Sequence, residues 1–285
     1  METQQILCKS ILTRSGGYLG PVCTHSINPY VVCGYGNTLC GTGCYVQSNG
    51  WLTRGREWGS FLEVKTNAAD VYRETCEKER RWAHRNGRRF SIFFSSSTEP
   101  WQPAEKKFRI TRQLLNTMQD APPDELILQT HSSLILEDVG VIASLAAVTD
   151  LRVHISIETD SQKFSGLPRH ACSVEDRIGA VRILSDAGVF VVVCMAPLLP
   201  MVYPEPFFER LARAGANAVV IDHFIGGDGT ANGSRTLKTT LPEKMEAVLP
   251  ASVHLDYRSE IASIAERFLP TGISSAGFAG IYSKV

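Results

Sequence analysis

Residues 173–195 read SVEDRIGAVRILSDAGVFVVVCM, and this stretch decides the fold. Ser173, three places before Asp176, is a helix N-cap, residues 174–186 have amphipathic helical spacing, and Gly188 stops the helix. Residues 190–195 follow as a β-branched, apolar strand. The same alternation extends in both directions. Strands are expected at 89–95, 125–130, 152–157, 190–195 and 218–222, with helices near 108–119, 136–147, 174–186, 205–214 and 258–268. Alternating strands and helices build a parallel sheet. A strand over 26–32 and a helix over 67–86 add a first unit, so the expected class is α/β, a partial (β/α)6 barrel of the TIM kind. No internal repeat, low-complexity tract or long linker interrupts it. The chain reads as a single domain over 1–285, with a loop at 26–55, a β/α core at about 56–225 and a C-terminal extension at 226–285.

The bulk numbers narrow the function classes. The 285 residues are 44% hydrophobic and 20% charged, enough for a large core. Lys+Arg and Asp+Glu both number 29, giving a net charge of +0, so no overall field draws the chain to nucleic acid or an anionic membrane. No apolar run is long enough to span a bilayer and no leader pattern opens the sequence, so a cytoplasmic place is expected. A monomer is the default.

The chain has eight cysteines, and a protein of this class is not a secreted disulfide scaffold. Cys8, Cys23, Cys76, Cys172 and Cys194 are dispersed. Cys33, Cys40 and Cys44 crowd into a stretch rich in Gly, Asn and Tyr that follows the first strand. Parallel β/α folds carry their chemistry at the C-terminal ends of the strands, which puts this loop at the active mouth. Three thiolates can ligate three irons of a cubane cluster and leave the fourth iron open. Gly34, Gly36, Gly41 and Gly43 are expected to bring the thiolates together through backbone conformations closed to other residues. The competing readings are a zinc site, although zinc usually takes four protein ligands and no fourth is spaced for it, and a loop of free thiols.

Asn28-Pro29-Tyr30 ahead of Cys33, with Cys44-Tyr45 at the end, resembles the cluster loop of the spore photoproduct lyase-like branch of the radical S-adenosylmethionine (SAM) superfamily. The likeness continues in order through most of the chain. It takes in Val64-Lys65-Thr66-Asn67-Ala68, then Thr98-Glu99-Pro100-Trp101-Gln102-Pro103 with Glu105 and Arg112. Ser156-Ile157-Glu158-Thr159, Pro168-Arg169 with the helix at 173–188, and Ala196-Pro197-Leu198-Leu199-Pro200 complete it. That branch spaces its cysteines by three and then two residues; here the gaps are six and three, and Gly43 stands where an aromatic is usual.

The resemblance implies a barrel of the radical SAM type, with a 4Fe–4S cluster on Cys33, Cys40 and Cys44 that binds and reductively cleaves SAM. It assigns Lys65 and Arg169 to the SAM carboxylate, Ser97 and Glu99 to its ammonium, and Ser156 and Glu158 to its ribose or ammonium. It also implies an electron donor such as flavodoxin or ferredoxin. One cluster and no auxiliary one is expected. Candidates for a catalytic role on the substrate side are His131, which follows Gln129 and Thr130, His223, which precedes the Gly226-Gly227-Asp228-Gly229 loop, and Cys194. The favoured substrate is a small molecule, with the reaction type, lyase or oxidoreductase, left open. Two alternatives stand beside it. One is nucleic-acid repair or modification through Arg54, Arg56, Arg80, Arg81, Arg85, Arg88 and Arg89. The other is a non-catalytic metal-binding or redox-sensing protein.

Overall fold

The computed structural model describes residues 1–164 and 166–283; the end of the 226–285 segment thus lies outside the described residues. Its strands are β1 (Glu2–Ile6), β2 (Leu12–Arg14), β3 (His25–Ile27), β4 (Tyr30–Val31), β5 (Phe61–Lys65), β6 (Ser91–Phe94), β7 (Glu125–Thr130), β8 (Asp150–Ser156), β9 (Phe190–Met195), β10 (Ala218–Ile221) and β11 (Thr271–Ile273). The main sheet has the order β11-β10-β9-β8-β7-β6-β3-β2. Every neighbouring pair in it is parallel except β2 with β3. The order does not return to its start, so the sheet is a partial barrel with two edges. A second sheet, β1-β5-β4, stands apart from it.

The helix read from residues 173–195 forms at Val174–Asp186, with the Ser173 hydroxyl accepting from the Asp176 amide and Gly188 at φ 78° ending it. The other long helices lie at Ala68–Arg85, Ile110–Asp120, Val139–Ala146, Pro204–Arg213 and Leu255–Ala265. Their apolar faces and the outer face of the sheet make the main core, where Phe90, Leu114, Leu128, Leu184, Val193 and Phe208 are fully buried.

Two departures from the sequence reading matter for the site. The expected strand over 26–32 is two strands in two different sheets, β3 and β4, broken at Asn28-Pro29. Pro29 has no N–H for a ladder, and its carbonyl instead accepts from the Lys65 amide at 3.2 Å. The second departure is β11, which adds a further parallel strand beside β10. It is only three residues long and contains Gly272, too short for periodicity to reveal.

The inner face of the sheet carries a smaller apolar cluster that includes Phe93, Ile127, Val192, Cys194, Val220 and Phe278. Tyr18, in the segment between β2 and β3, packs edge-on to Phe278 and donates its hydroxyl to Asp222 Oδ2 at 2.6 Å. Asp222 follows β10, so this bond ties one side of the open sheet to the other. No helix is long and apolar enough to cross a membrane among the described residues.

Candidate functional site

The cysteine loop leaves β4 and lies over the C-terminal ends of β6, β7 and β8, held there by the segment that follows β6. The Thr98 hydroxyl donates to the Val32 carbonyl at 2.5 Å, the Gly34 amide donates to Gln102 Oε1 at 2.8 Å, and the Tyr30 hydroxyl donates to Glu105. Asn28 donates to Ser96 Oγ at 3.2 Å and accepts from the Ser97 amide at 2.9 Å. Two motifs about seventy residues apart in sequence are therefore partners in space. The irregular backbone of both segments needs such bonds because buried N–H and C=O groups outside regular structure must find partners.

The glycines of the loop act differently from the expectation. Gly34, Gly36, Gly41 and Gly43 do not adopt positive φ; their role is to save space. A Cβ on Gly41 would lie 2.1 Å from the Gly36 carbonyl oxygen, and one on Gly43 2.1 Å from a Leu241 methyl. The loop is folded tightly on itself, with Cys40 in a short helical turn, Leu39–Thr42, and Cys44 just beyond it.

Of the three cysteines Cys33 is buried and Cys40 and Cys44 are half-buried. Burial, and behind it the nearness of Cys40 and Glu99, holds the Cys33 thiol well above its ordinary pKa. Burial and Cys40 push Cys44 up to about 12. Such thiols stay protonated until a bound cation reverses the balance. As a donor set they fit a cubane cluster, which takes one thiolate per iron. Among the described residues no three His, Cys, Asp or Glu side chains converge on a single metal position.

Beside the thiols lies a buried charged row. His131, just past β7, has Nδ1 3.5 Å from Glu99 Oε2 and Nε2 3.0 Å from Glu158 Oε1. Burial pulls the His131 pKa down, but Cys40, Glu158 and Glu99 outweigh it and hold it well above the usual value. Glu158 is bound from the other side by Arg177 Nη1 at 2.8 Å. Burial alone would raise the Glu158 carboxyl; Arg177 and His131 instead hold it well below the usual carboxylate range. Glu158 Oε1 is buried and, although in ion-pair contact with His131, is off the line of a hydrogen bond. Arg177, 2% exposed on the Val174–Asp186 helix, was missed by sequence reading. Its only signal was an arginine on the face of that helix that should be apolar.

The remaining candidates fall in varied places. Glu99 is engaged by the Trp101 and His131 amides and the Thr130 hydroxyl. Ser156 is buried, accepts from Gln129 Nε2 at 2.8 Å, and gives its carbonyl to Arg177. Lys65, at the end of β5, donates to the Asn28 carbonyl at 2.7 Å. Arg169 is exposed, and its carbonyl accepts from the Leu39 amide at 2.9 Å, which pins the loop beside Cys40. His223 is fully buried, with Nε2 on the Ser252 carbonyl and Nδ1 accepting from the Ile225 amide. Cys194 is fully buried in the inner apolar cluster. His131 alone of the three catalytic candidates faces the thiols.

The partial parallel barrel is also what comparison with known proteins returns at the level of fold. The chain has the fold of spore photoproduct lyase: a variant of that enzyme superposes with a TM-score of 0.65 and 12% identity, covering 95% of this chain and 81% of the other. A weaker likeness, TM-score 0.48 and 13% identity over 70% of this chain and 42% of the other, runs to SuiB of Streptococcus suis. In sequence the chain is 22% identical over 251 residues to an uncharacterized protein of Methanocaldococcus jannaschii, covering 87% of this chain and 88% of that one. No protein-family profile matches the chain.

Proposed function

We propose that the chain is a radical SAM enzyme that acts on a small molecule. The observation that carries this reading is the lodging of Cys33, Cys40 and Cys44 in one tightly braced loop over the C-terminal ends of a parallel sheet. Cys33, Cys40 and Cys44 would hold a 4Fe–4S cluster with one iron left for SAM. When bound, the two supply a 5′-deoxyadenosyl radical able to take a hydrogen atom from a substrate C–H bond.

The chain's own residues bind and orient. Glu158 and Ser156 are the candidates for the SAM ammonium or ribose and Ser97 and Glu99 for its ammonium, Glu158 being held in place by His131 and Arg177. Lys65 and Arg169 supply the cations for the SAM carboxylate, Lys65 exchanging its contact with the Asn28 carbonyl for a charge-assisted one. The His131 and Arg177 contacts fix the Glu158 carboxylate. A flavodoxin or ferredoxin would deliver the electron, and a cytoplasmic setting suits reduced thiols.

Nucleic acid is the less favoured substrate because six of its seven candidate arginines, all but Arg85, are engaged elsewhere. Arg54 and Arg56 both pair with Glu63, Arg80 with Glu77 and Asp124, Arg81 with Glu77, and Arg89 with Asp150. Arg88 donates to the carbonyls of Gly20 and Cys23.

The test is anaerobic reconstitution with iron and sulfide, reduction, addition of SAM and assay of 5′-deoxyadenosine. Wild type should bind about four irons and release 5′-deoxyadenosine, and Cys33→Ala, Cys40→Ala and Cys44→Ala should each abolish release. Iron bound without any 5′-deoxyadenosine would move a redox-sensing role ahead of catalysis.

A further inference from the structure

The segment that follows β10 folds around a cleft that shares no lining residue with the cysteine loop. Three turns, Phe224–Gly227, Thr236–Lys238 and Pro250–Val253, and the helix Leu241–Val248 surround a volume of about 310 Å³. That is room for a small ligand. Phe224, Ile225, Leu237, Pro242 and Val253 form apolar walls, and Glu243 and Glu246 complete the lining. Leu237 is 55% exposed, so part of this apolar wall is left to solvent.

The helix Leu241–Val248 both anchors the cleft and charges it. Leu241 and Met245, four residues apart, are buried in the apolar cluster that also holds Phe224, Leu199 and Leu39 of the cysteine loop. Pro242, Glu243 and Glu246 fall on the next face of the helix and meet the cleft. Glu243 is in the first turn, where a helix favours negative charge. Glu246 is beyond it, and three residues from Glu243 it makes a like-charge pair that costs stability. Both glutamates are exposed, and neither has an ion-pair partner among the described residues; Lys238 and Lys244, the nearest cations in sequence, pair with neither. Two unmatched carboxylates beside apolar walls define the guest. An anion is repelled by both, an uncharged apolar body leaves both to water, and a bare cation gains nothing from the walls.

We propose that this cleft is a binding site for a small organic ammonium ion with an apolar body, such as an arylalkylamine. Its hydrocarbon lies on Phe224, Leu237 and Val253, and its ammonium meets Glu243 and Glu246. The site is separate from the cysteine-lined mouth, and its occupancy does not depend on the radical SAM reading.

The experiment titrates the full chain, with labelled Ile, Leu and Val methyl groups, while Ile225, Leu237 and Val253 are followed by NMR. Phenethylammonium should shift these methyls saturably. Phenethyl alcohol, with the same ring and no charge, should bind about tenfold more weakly, each exposed ion pair contributing about threefold. Methylammonium and hydrocinnamate should leave the three methyls in place over the same concentrations. Glu243→Gln and Glu246→Gln should each weaken phenethylammonium about threefold, and the double variant should bind the ammonium and the alcohol equally. The double variant should melt close to wild type, the helix-terminus contribution of Glu243 lost and the like-charge repulsion relieved, which separates lost binding from lost folding. Methyls that do not respond to phenethylammonium overturn the proposal. So does an equal response of wild type to the alcohol, to methylammonium or to hydrocinnamate, or a preference for the ammonium that survives in the double variant. Phenethylammonium binding in a chain that forms no 5′-deoxyadenosine after reconstitution would sink the radical SAM reading and leave the cleft standing; the opposite pair of results would sink the cleft alone.

Discussion

In the β/α ladder, position is set by surface removed from water: Val174, Ile178, Val181 and Leu184 recur at helical spacing and all face the same buried layer as Val191 and Val193 of β9. In the cysteine loop, position is set by single bonds and single gaps: Thr98 to Val32, Gln102 to Gly34, Glu105 to Tyr30, and the space left by Gly41 against Gly36. Burial is non-directional and spread over many side chains, so the ladder can absorb a small volume change at a cost in stability. A hydrogen bond or a missing Cβ is local and geometric, so the loop can lose its shape with little change in global stability. The two regions should come apart under mutation.

The largest expected effect is on the ladder. Phe208→Ala, at a fully buried position under the sheet, should lower the free energy of unfolding by about 3–5 kcal/mol in a urea titration. Iron bound per folded chain should stay at the wild-type level, and a parallel loss of iron would show that the regions are not separable. Next comes Gly41→Ala. Its Cβ meets backbone at Gly36 and cannot be relieved by a rotamer change, so the loop must shift and iron retention should fall several-fold. The cost in unfolding free energy should be smaller than for Phe208→Ala, at about 1–3 kcal/mol for overpacking. Full iron retention would mean that the loop is looser than its contacts imply.

The last prediction separates the regions by pH, and its single-histidine part is the smallest effect. His25, His154, His170 and His223 lie outside the loop, and burial lowers the pKa of each. Their folded values therefore lie below the unfolded value of about 6.5. As pH falls through that value the unfolded chain takes up protons that the native chain does not, so stability falls. The urea midpoint should drop between about pH 7 and pH 5.5, with a limiting slope of about 1.4 kcal/mol per pH unit for each histidine. His154→Phe should make the drop shallower by one proton's share, and an unchanged slope would show that this ring titrates in the native state.

The sequence was most legible where burial sets position. β7 and β9 form over the expected residues, and the Val174–Asp186 helix begins and ends at its expected cap and glycine. It was least legible where single contacts decide. Residues 26–32 look like one β-branched run, yet Pro29 and the bonds of Asn28 divert the chain into a second sheet. The cysteines could be picked out by crowding, and the Thr98 to Glu105 segment by resemblance. That these two clasp one another is a fact of the third dimension. Arg177 was hidden because a buried arginine in an amphipathic helix looks like one more surface charge until Glu158 is found beneath it. His154 looked like an ordinary strand residue, since sequence alone cannot tell whether a buried imidazole has partners.

The bond from Tyr18 to Asp222 bears on how the molecule is made. Its ends are separated by 204 residues, and Tyr18 also rests on Phe278, near the far end of the described chain. Contacts so distant in sequence come late in folding, because the chain between them must first be ordered. A growing chain on the ribosome can pair β1 with β5, β3 with β6, and β6, β7, β8 and β9 as each emerges, but Tyr18 has neither of these partners until β10 and the Ser274–Phe278 turn have been synthesised. Until then the inner face, with His154 and Cys194, stands open to solvent and to other chains, and the arrival of Phe278 is what covers it.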